Sequence, residues 1–422
     1  MGSANPIPAA PPLVTVIVPA RNEEANLERC LRSLVVQKGV AFEVIVVNDA
    51  STDRTRDIAA SFIRAGQCPF IEANESLVDF RVLDAPEPLP QGWTGKTNAL
   101  VAAEAAAHGE WLLFTDADTE HLPGSLAAAV AEAKKHKADL LSYSPEQVLT
   151  GIRQRLIMPL IFGELAVRFS PRRINDPAQP DAAANGQYLL ARATAHQQVG
   201  GFAPVATELL EDVALARRYK AQGYGIHFRY GRGAVRTRMY SSWNELREGW
   251  TKNLALLFPD ARPLARKRLG EFVWLLLLLA VAAFSTALVS REVRFGSSLY
   301  WPANLLGMLL WLLALSNFAV FYARVARAHF PYWPSLLSLF GLPWFAALLR
   351  RSADAHEQGS VSWRGRAYGT SAQEANNSLP GVPPQQAKDG LAGDPGVQPQ
   401  QARDGLAGDP GAQRPSAASN SK

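Results

Sequence analysis

Cysteine is nearly missing. The 422 residues contain two, Cys30 and Cys68, too few for a disulfide framework or a cysteine-based zinc site. The seven histidines show no HExxH or comparable metal-ligand spacing. Charge of one sign is also scarce: 43 Lys+Arg against 38 Asp+Glu leave +5, too little to suggest a nucleic-acid partner. The opening Met1-Gly2-Ser3-Ala4-Asn5-Pro6 has neither a basic stretch nor an apolar one, so no signal peptide is expected and the first domain is expected to stay in the cytoplasm. From residue 371 onward there is no Phe, Trp or Tyr, and a 15-residue repeat occurs twice, from Gln385 and from Gln400. Two such copies cannot build a repeat core, and this tail is expected to be disordered.

What is present is 48% apolar residues and 19% charged ones, enough for a sizeable core and a length suited to two or three domains. Residues 13 to about 235 alternate strand-like runs (Leu13–Val18, Phe42–Val47, Phe80–Leu83, Trp111–Phe114) with helical spacing (Glu23–Val36, Arg54–Ala65, Lys96–Ala107). That alternation predicts an α/β domain with a mainly parallel sheet covered on both faces. Long uncharged runs follow at 272–290, 296–323 and 330–349. The first two are long enough to span a bilayer. The third contains Pro331, Pro334 and Pro343 and reads either as a span or as a broken, re-entrant segment.

Asp116-Ala117-Asp118 follows the buried strand 111–114. Two carboxylates at i and i+2 at a strand end reach one cation when the chain bends there, and hard oxygen ligands suit Mg²⁺ or Mn²⁺. The same pattern also suits an Asp-rich turn. Two other strand ends are polar, at 19–23 and 48–53, and in open parallel sheets ligands sit beyond the carboxyl ends of strands. Asp49 is positioned to accept a hydrogen bond from a base imide; Asp53, Asn22 and Glu23 serve equally well as helix caps. Gly92-Trp93-Thr94-Gly95-Lys96-Thr97-Asn98 lacks P-loop spacing, yet a lysine at a helix start suits a phosphate. Glu211-Asp212 reads as the acidic first turn of a helix.

PARNEE at 19–24, NDASTD at 48–53, GKTNA at 95–99, DAD at 116–118, Asn185-Gly186-Gln187 and Glu211-Asp212 together resemble the family-2 glycosyltransferases of GT-A fold, over residues 13 to about 255. The resemblance implies roles. Pro19, Arg21, Glu23, Asp49, Lys96 and Asp116 look like the donor-binding set. Asp116 and Asp118 look like the ribose and metal carboxylates, with Asp118 the direct ligand of Mg²⁺ or Mn²⁺. Glu211-Asp212 looks like the pair whose aspartate is the catalytic base of an inverting displacement. The QxxRW motif of processive polysaccharide synthases has no counterpart at 239–253, where Trp243, Leu246, Trp250 and Leu254 share a helix face and Arg247 or Lys252 is placed to reach a phosphate.

The stretch Arg238–Asn253 resembles that of membrane-bound glycosyltransferases of carotenoid acids, the diaponeurosporenoate type, with the hopanoid-associated type second. The implied activity is transfer of a hexose, from UDP-glucose first, to a membrane-embedded lipid such as a carotenoid acid. Alternatives are a hopanoid or polyprenyl phosphate acceptor, polysaccharide synthesis, or a non-catalytic membrane protein that binds nucleotide sugars.

The implied layout is a flexible 1–12; a GT-A domain, 13–235; amphipathic interface helices, 236–271; two or three membrane segments (272–290, 299–323, 330–349); a basic juxtamembrane stretch, 350–370; and the tail, 371–422. Arg262, Arg266, Lys267 and Arg268 before the first segment place the catalytic domain on the cytoplasmic face of the inner membrane. Trp363-Arg364-Gly365-Arg366-Ala367-Tyr368 resembles a stretch that follows the last membrane segment in such enzymes; if it too is cytoplasmic, the spans are even in number. Arg364 and Arg366 suit a diphosphate or an anionic lipid. Ile152–Phe169 is apolar at helical spacing with interleaved arginines, as expected of an interfacial helix beside a lipid acceptor.

Overall fold

The computed structural model describes residues 13–63, 75–295, 300–363 and 366–368; the repeat-containing tail and Cys68 lie outside them. The chain opens β1 (Val14–Ala20), α1 (Leu27–Val35), β2 (Phe42–Asn48), α2 (Thr55–Ser61), β3 (Leu77–Asp84), α3 (Gly95–Glu104) and β4 (Trp111–Phe114). Next come β5 (Thr119–His121), α4 (Ser125–Lys135), β6 (Leu140–Ser144), β7 (Glu146–Gln147), α5 (Ile152–Arg168), α6 (Pro171–Ile174) and β8 (Leu189–Arg192). After these follow α7 (Ala193–Gln198), α8 (Glu211–Ala221), β9 (Ile226–Tyr230) and β10 (Val235–Thr237).

The main sheet has the order β3-β2-β1-β4-β8-β6-β9. Its pairs are parallel except that β8 runs antiparallel to β4 and to β6. β5, β10 and β7 form a small second sheet. This is the mainly parallel α/β architecture that the sequence leads one to expect. β1 is buried at every position but Pro19, because its side chains feed two cores: Val14, Val16 and Val18 enter one with Leu31 and Trp111, and Ile17 enters the other with Leu100 and Leu215. The order reverses at β1, whose neighbours are β2 and β4. Loops leaving β1 and β4 therefore diverge and open a crevice at the carboxyl edge.

The C-terminal part is helical: α9 (Trp243–Leu257), α10 (Ala261–Phe295), α11 (Tyr300–Ala326), α12 (Tyr332–Leu337) and α13 (Leu342–Glu357), then a hairpin of β11 (Val361–Trp363) and β12 (Arg366–Tyr368). α10 and α11 are long and apolar enough to cross a membrane, and they expose Val273, Leu277, Phe284, Leu305, Leu309 and Leu312. α10 starts ten residues or so before the uncharged run, so the basic stretch 262–268 is the first part of the same helix rather than a separate element.

The uncharged run 330–349 does not form one helix. It breaks into α12, a 3₁₀ turn at 338–341 and the start of α13. Leu339, Leu342, Phe345 and Leu349 are buried against Ile157, Leu160 and Trp250 of α5 and α9. The run is broken rather than one continuous helix. The expected α9 face is equally visible: Leu246, Trp250 and Leu254 are buried and Trp243 packs at their edge.

Candidate active site

The loops after β1 and β2 are laced to one another. Arg21 donates to the carbonyls of Asp49 at 2.7 Å and Ala50 at 3.1 Å. Asn22 accepts from the Thr52 amide, and Asp53 accepts from the amides of Thr55 and Glu24. Asn22 and Ala50 both sit in the left-handed region, at φ 52° and 48°, a strain that persists where surrounding bonds over-determine it. Asp53 thus clamps the two loops together, while the N-cap position of α2 is Arg54. Burial would raise its carboxyl, but the bonds from Thr55 and Glu24 outweigh that and hold it low. Glu23 bonds Asn26 while its side chain still borders the crevice.

One lysine joins three motifs. Thr94 caps α3 by accepting from the Thr97 amide, and this sets Lys96 at the first turn. Its Nζ lies 2.8 Å from Asp116 Oδ1 and 2.9 Å from Glu211 Oε1. Asp212 begins α8 beside Glu211, and its Oδ2 accepts from the Gly186 amide at 2.7 Å. Gly186 is tight: a Cβ there would stand 3.0 Å from Lys96 Nζ and 3.5 Å from Asp212 Oδ2. Gln187, next in the chain, points its side-chain amide at Asp118 Oδ1, 3.4 Å away. We expect Gly186→Ala to lower kcat/KM by about tenfold or more through displacement of Lys96, with the melting temperature little changed; steady-state kinetics and a thermal melt check it.

The electrostatics divide the carboxylates. Burial, then the charges of Asp116 and Glu23, push Asp118 up to about 7. Burial, then Glu211, push Asp212 up to about 6. Burial also acts on Glu211, but Lys96 and then Lys252 outweigh it and hold that carboxyl below the usual range. Two acidic groups with opposite shifts side by side are a recurring mark of acid–base sites.

All nine residues singled out for the site (Pro19, Arg21, Glu23, Asp49, Lys96, Asp116, Asp118, Glu211 and Asp212) line one cavity of about 320 Å³, within the size range of small-molecule sites. Its other walls are apolar: Phe162, Leu165 and Phe169 from the α5 region, with Leu209, Trp250 and Leu257. Lys252 lines it too, whereas Arg247 is exposed and lines a different groove. Arg366 and Tyr368 of the C-terminal hairpin also line the cavity. Their motif was visible in the sequence, but no spacing ties position 366 to position 49.

Residues 15–180 match the model of Glycosyl transferase family 2. The chain is 25% identical over 369 residues to the 4,4'-diaponeurosporenoate glycosyltransferase of Staphylococcus aureus strain MRSA252, covering 86% of this chain and 89% of that protein. It is 24% identical to the protein of the same name from strain USA300, over 86% and 89%. Among solved structures, a mannosyltransferase from Pyrobaculum calidifontis in complex with GDP-Man and Mn²⁺ superposes with a TM-score of 0.45 at 18% identity, over 83% of this chain and 88% of that one. Glucosyl-3-phosphoglycerate synthase from Mycobacterium tuberculosis superposes with a TM-score of 0.38 at 19% identity, over 59% and 79%. The strand-end cavity thus belongs to a chain that carries a glycosyl transferase family 2 domain.

Proposed function

We propose that this chain is an inverting glycosyltransferase that moves a hexose, from UDP-glucose first, onto a lipid held at the membrane surface, with a carotenoid acid as the first acceptor to test. The observation that carries this reading is the two-sided cavity. Its acidic and basic wall holds Asp116, Asp118, Lys96 and Asp212, and its apolar wall comes from α5 and α9, the elements against which the membrane-length helices and α13 pack. A water-soluble donor and an apolar acceptor need those two surfaces to meet.

Asp118 and Asp116, with Glu23 beside them, form a hard-oxygen donor set that fits Mg²⁺ or Mn²⁺. Bound there, the ion would neutralise charge on a diphosphate leaving group. Pro19, Arg21, Asp49 and Lys96 shape the donor side. Asp212 accepts the acceptor's proton while the acceptor oxygen attacks the anomeric carbon. The nucleotide diphosphate departs with the electrons of the old C–O bond.

Two features support a two-span arrangement. Arg366 meets Asp49, which suits two crossings by α10 and α11 with the β11–β12 hairpin on the same side as the catalytic domain. Of the four basic residues before the first segment, Arg262 is paired with Asp354 and Glu357, and Arg268 with Glu164 and Glu271. Exposed Arg266 and Lys267 carry the positive-inside argument for a cytoplasmic catalytic face.

The test is transfer by membranes containing the protein, with labelled UDP-glucose, Mg²⁺ or Mn²⁺ and a lipid extract. A glycosylated lipid that disappears with Asp118→Asn is the expected result, and mass spectrometry names the acceptor. Asp118→Asn should also weaken Mn²⁺-dependent UDP binding about tenfold or more, measured by calorimetry. No product with any UDP- or GDP-sugar would favour a non-catalytic binding protein.

A further inference from the structure

Asp49, the carboxylate assigned above to the nucleotide, is held by a residue 317 positions later. Arg366 Nη1 lies 2.6 Å from Asp49 Oδ2 and Nη2 3.0 Å from Oδ1, the two-pronged geometry that arginine makes with carboxylates. The pair is largely out of water, with side-chain exposures of 8% for Asp49 and 23% for Arg366.

Gly95 lies directly beneath it. A Cβ on Gly95 would overlap both Arg366 Nη1 and Asp49 Oδ2. Gly95 is not in the left-handed region, so its lack of a side chain answers a demand for space, not for backbone freedom. The first strand of the hairpin is anchored beside it: Val361 is buried, and Trp363 lies with its ring 5.7 Å from Lys252 Nζ.

We propose that Arg366 is a donor-binding residue supplied by the β11–β12 hairpin, which sets the Asp49 carboxylate and forms one wall of the nucleoside-diphosphate site. Each Asp49 oxygen keeps a second lone pair, and Arg366 commits two of its five N–H donors to the pair. The pair therefore presents an acceptor and free donors together, suited to a base N–H beside a carbonyl or to a phosphate oxygen. Arg21, which also lines the cavity, has a buried Nε with no hydrogen-bond partner among the described residues. The donor site is thus assembled from segments on either side of the membrane-length helices in the sequence. This inference rests on the donor reading given above.

The experiment uses the full-length protein in detergent or nanodiscs. UDP binding in the presence of Mn²⁺ is measured by calorimetry, with donor KM and kcat in parallel. Arg366→Ala is expected to weaken UDP binding and raise donor KM by about tenfold or more, with a much smaller change in kcat. Arg366→Lys restores charge but not the fork, so it recovers only part of the affinity. Gly95→Ala, which alters neither charged residue, should move KM in the same direction. A thermal melt guards against loss of fold. Unchanged UDP affinity in Arg366→Ala overturns the proposal, and tighter binding overturns it in favour of a self-blocking contact. Failure of the unmodified protein to bind UDP or GDP would sink the donor reading and this one together; normal binding that Arg366→Ala leaves intact sinks this one alone.

Discussion

Asp212→Asn is expected to lower sugar transfer to a hydroxyl-bearing lipid by about 10²- to 10⁴-fold, the usual worth of a positioned general base, while UDP affinity stays nearly constant. Among the described residues Asp212 makes no ion pair at hydrogen-bond distance; its oxygens accept from the amides of Gly186 and Val213. The loss therefore falls on the proton transfer and not on the lysine-centred pairs at Asp116 and Glu211. Asparagine turns one NH₂ toward an amide that needs an acceptor, so a melt accompanies the kinetics.

The pH dependence follows from the same environment. Burial, then Glu211, push Asp212 up to about 6, and only the ionised form accepts a proton. With cation and donor saturating, the rate should fall tenfold per unit below about pH 6 and stay level above it. Asp212→Asn should lose that limb. A carboxylic acid acceptor has an ordinary pKa near 4 and arrives ionised at pH 7, so its transfer should suffer much less. Running both acceptor types side by side reads the acceptor chemistry from one variant. Equal, small losses with both would remove Asp212 from the base role.

Much of this site was legible before any coordinates. The β-branched runs at 14–20 and 42–48 bury on both faces, which only a covered parallel strand does, and the polar residues after them had to gather at one edge. The carboxylate motifs after β4 and at the start of α8 do line that edge. Composition alone could not separate 330–349 from a membrane span, because burial against protein and burial in lipid ask for the same residues. Its prolines mark the break, and Leu342 and Phe345 pack onto α5 and α9, a contact that composition does not reveal. Arg366 stands in the sequence as a basic residue after the long apolar runs; its partner is not legible there, since the contact depends on how α10 and α11 bring the hairpin back to the α/β domain.

Arg268→Met is expected to destabilise the protein by about 3–5 kcal/mol, the cost of breaking a buried ion pair from one side, seen as a fall in melting temperature on the order of 10 °C. Arg268 bonds Glu164 Oε2 and Glu271 Oε2, both at 2.9 Å, and Arg324 bonds Glu164 Oε1 at 3.1 Å and Glu271 at 2.8 Å. Two arginines thus balance two glutamates, with Arg268 only 8% exposed and Glu164 9%. Removing one arginine leaves a net negative charge in a poorly solvated place. Adding Glu164→Gln restores the balance and should recover a large part of the loss.

The network also has a positional consequence. Glu164 belongs to α5, whose Phe162 and Leu165 wall the cavity, while Arg268 with Glu271 and Arg324 belong to α10 and α11. Loosening it should shift the apolar wall relative to the carboxylates. Lipid transfer should then drop more than donor hydrolysis, which needs only the polar wall. An equal drop in both would mean that the network supports the fold without aligning the acceptor.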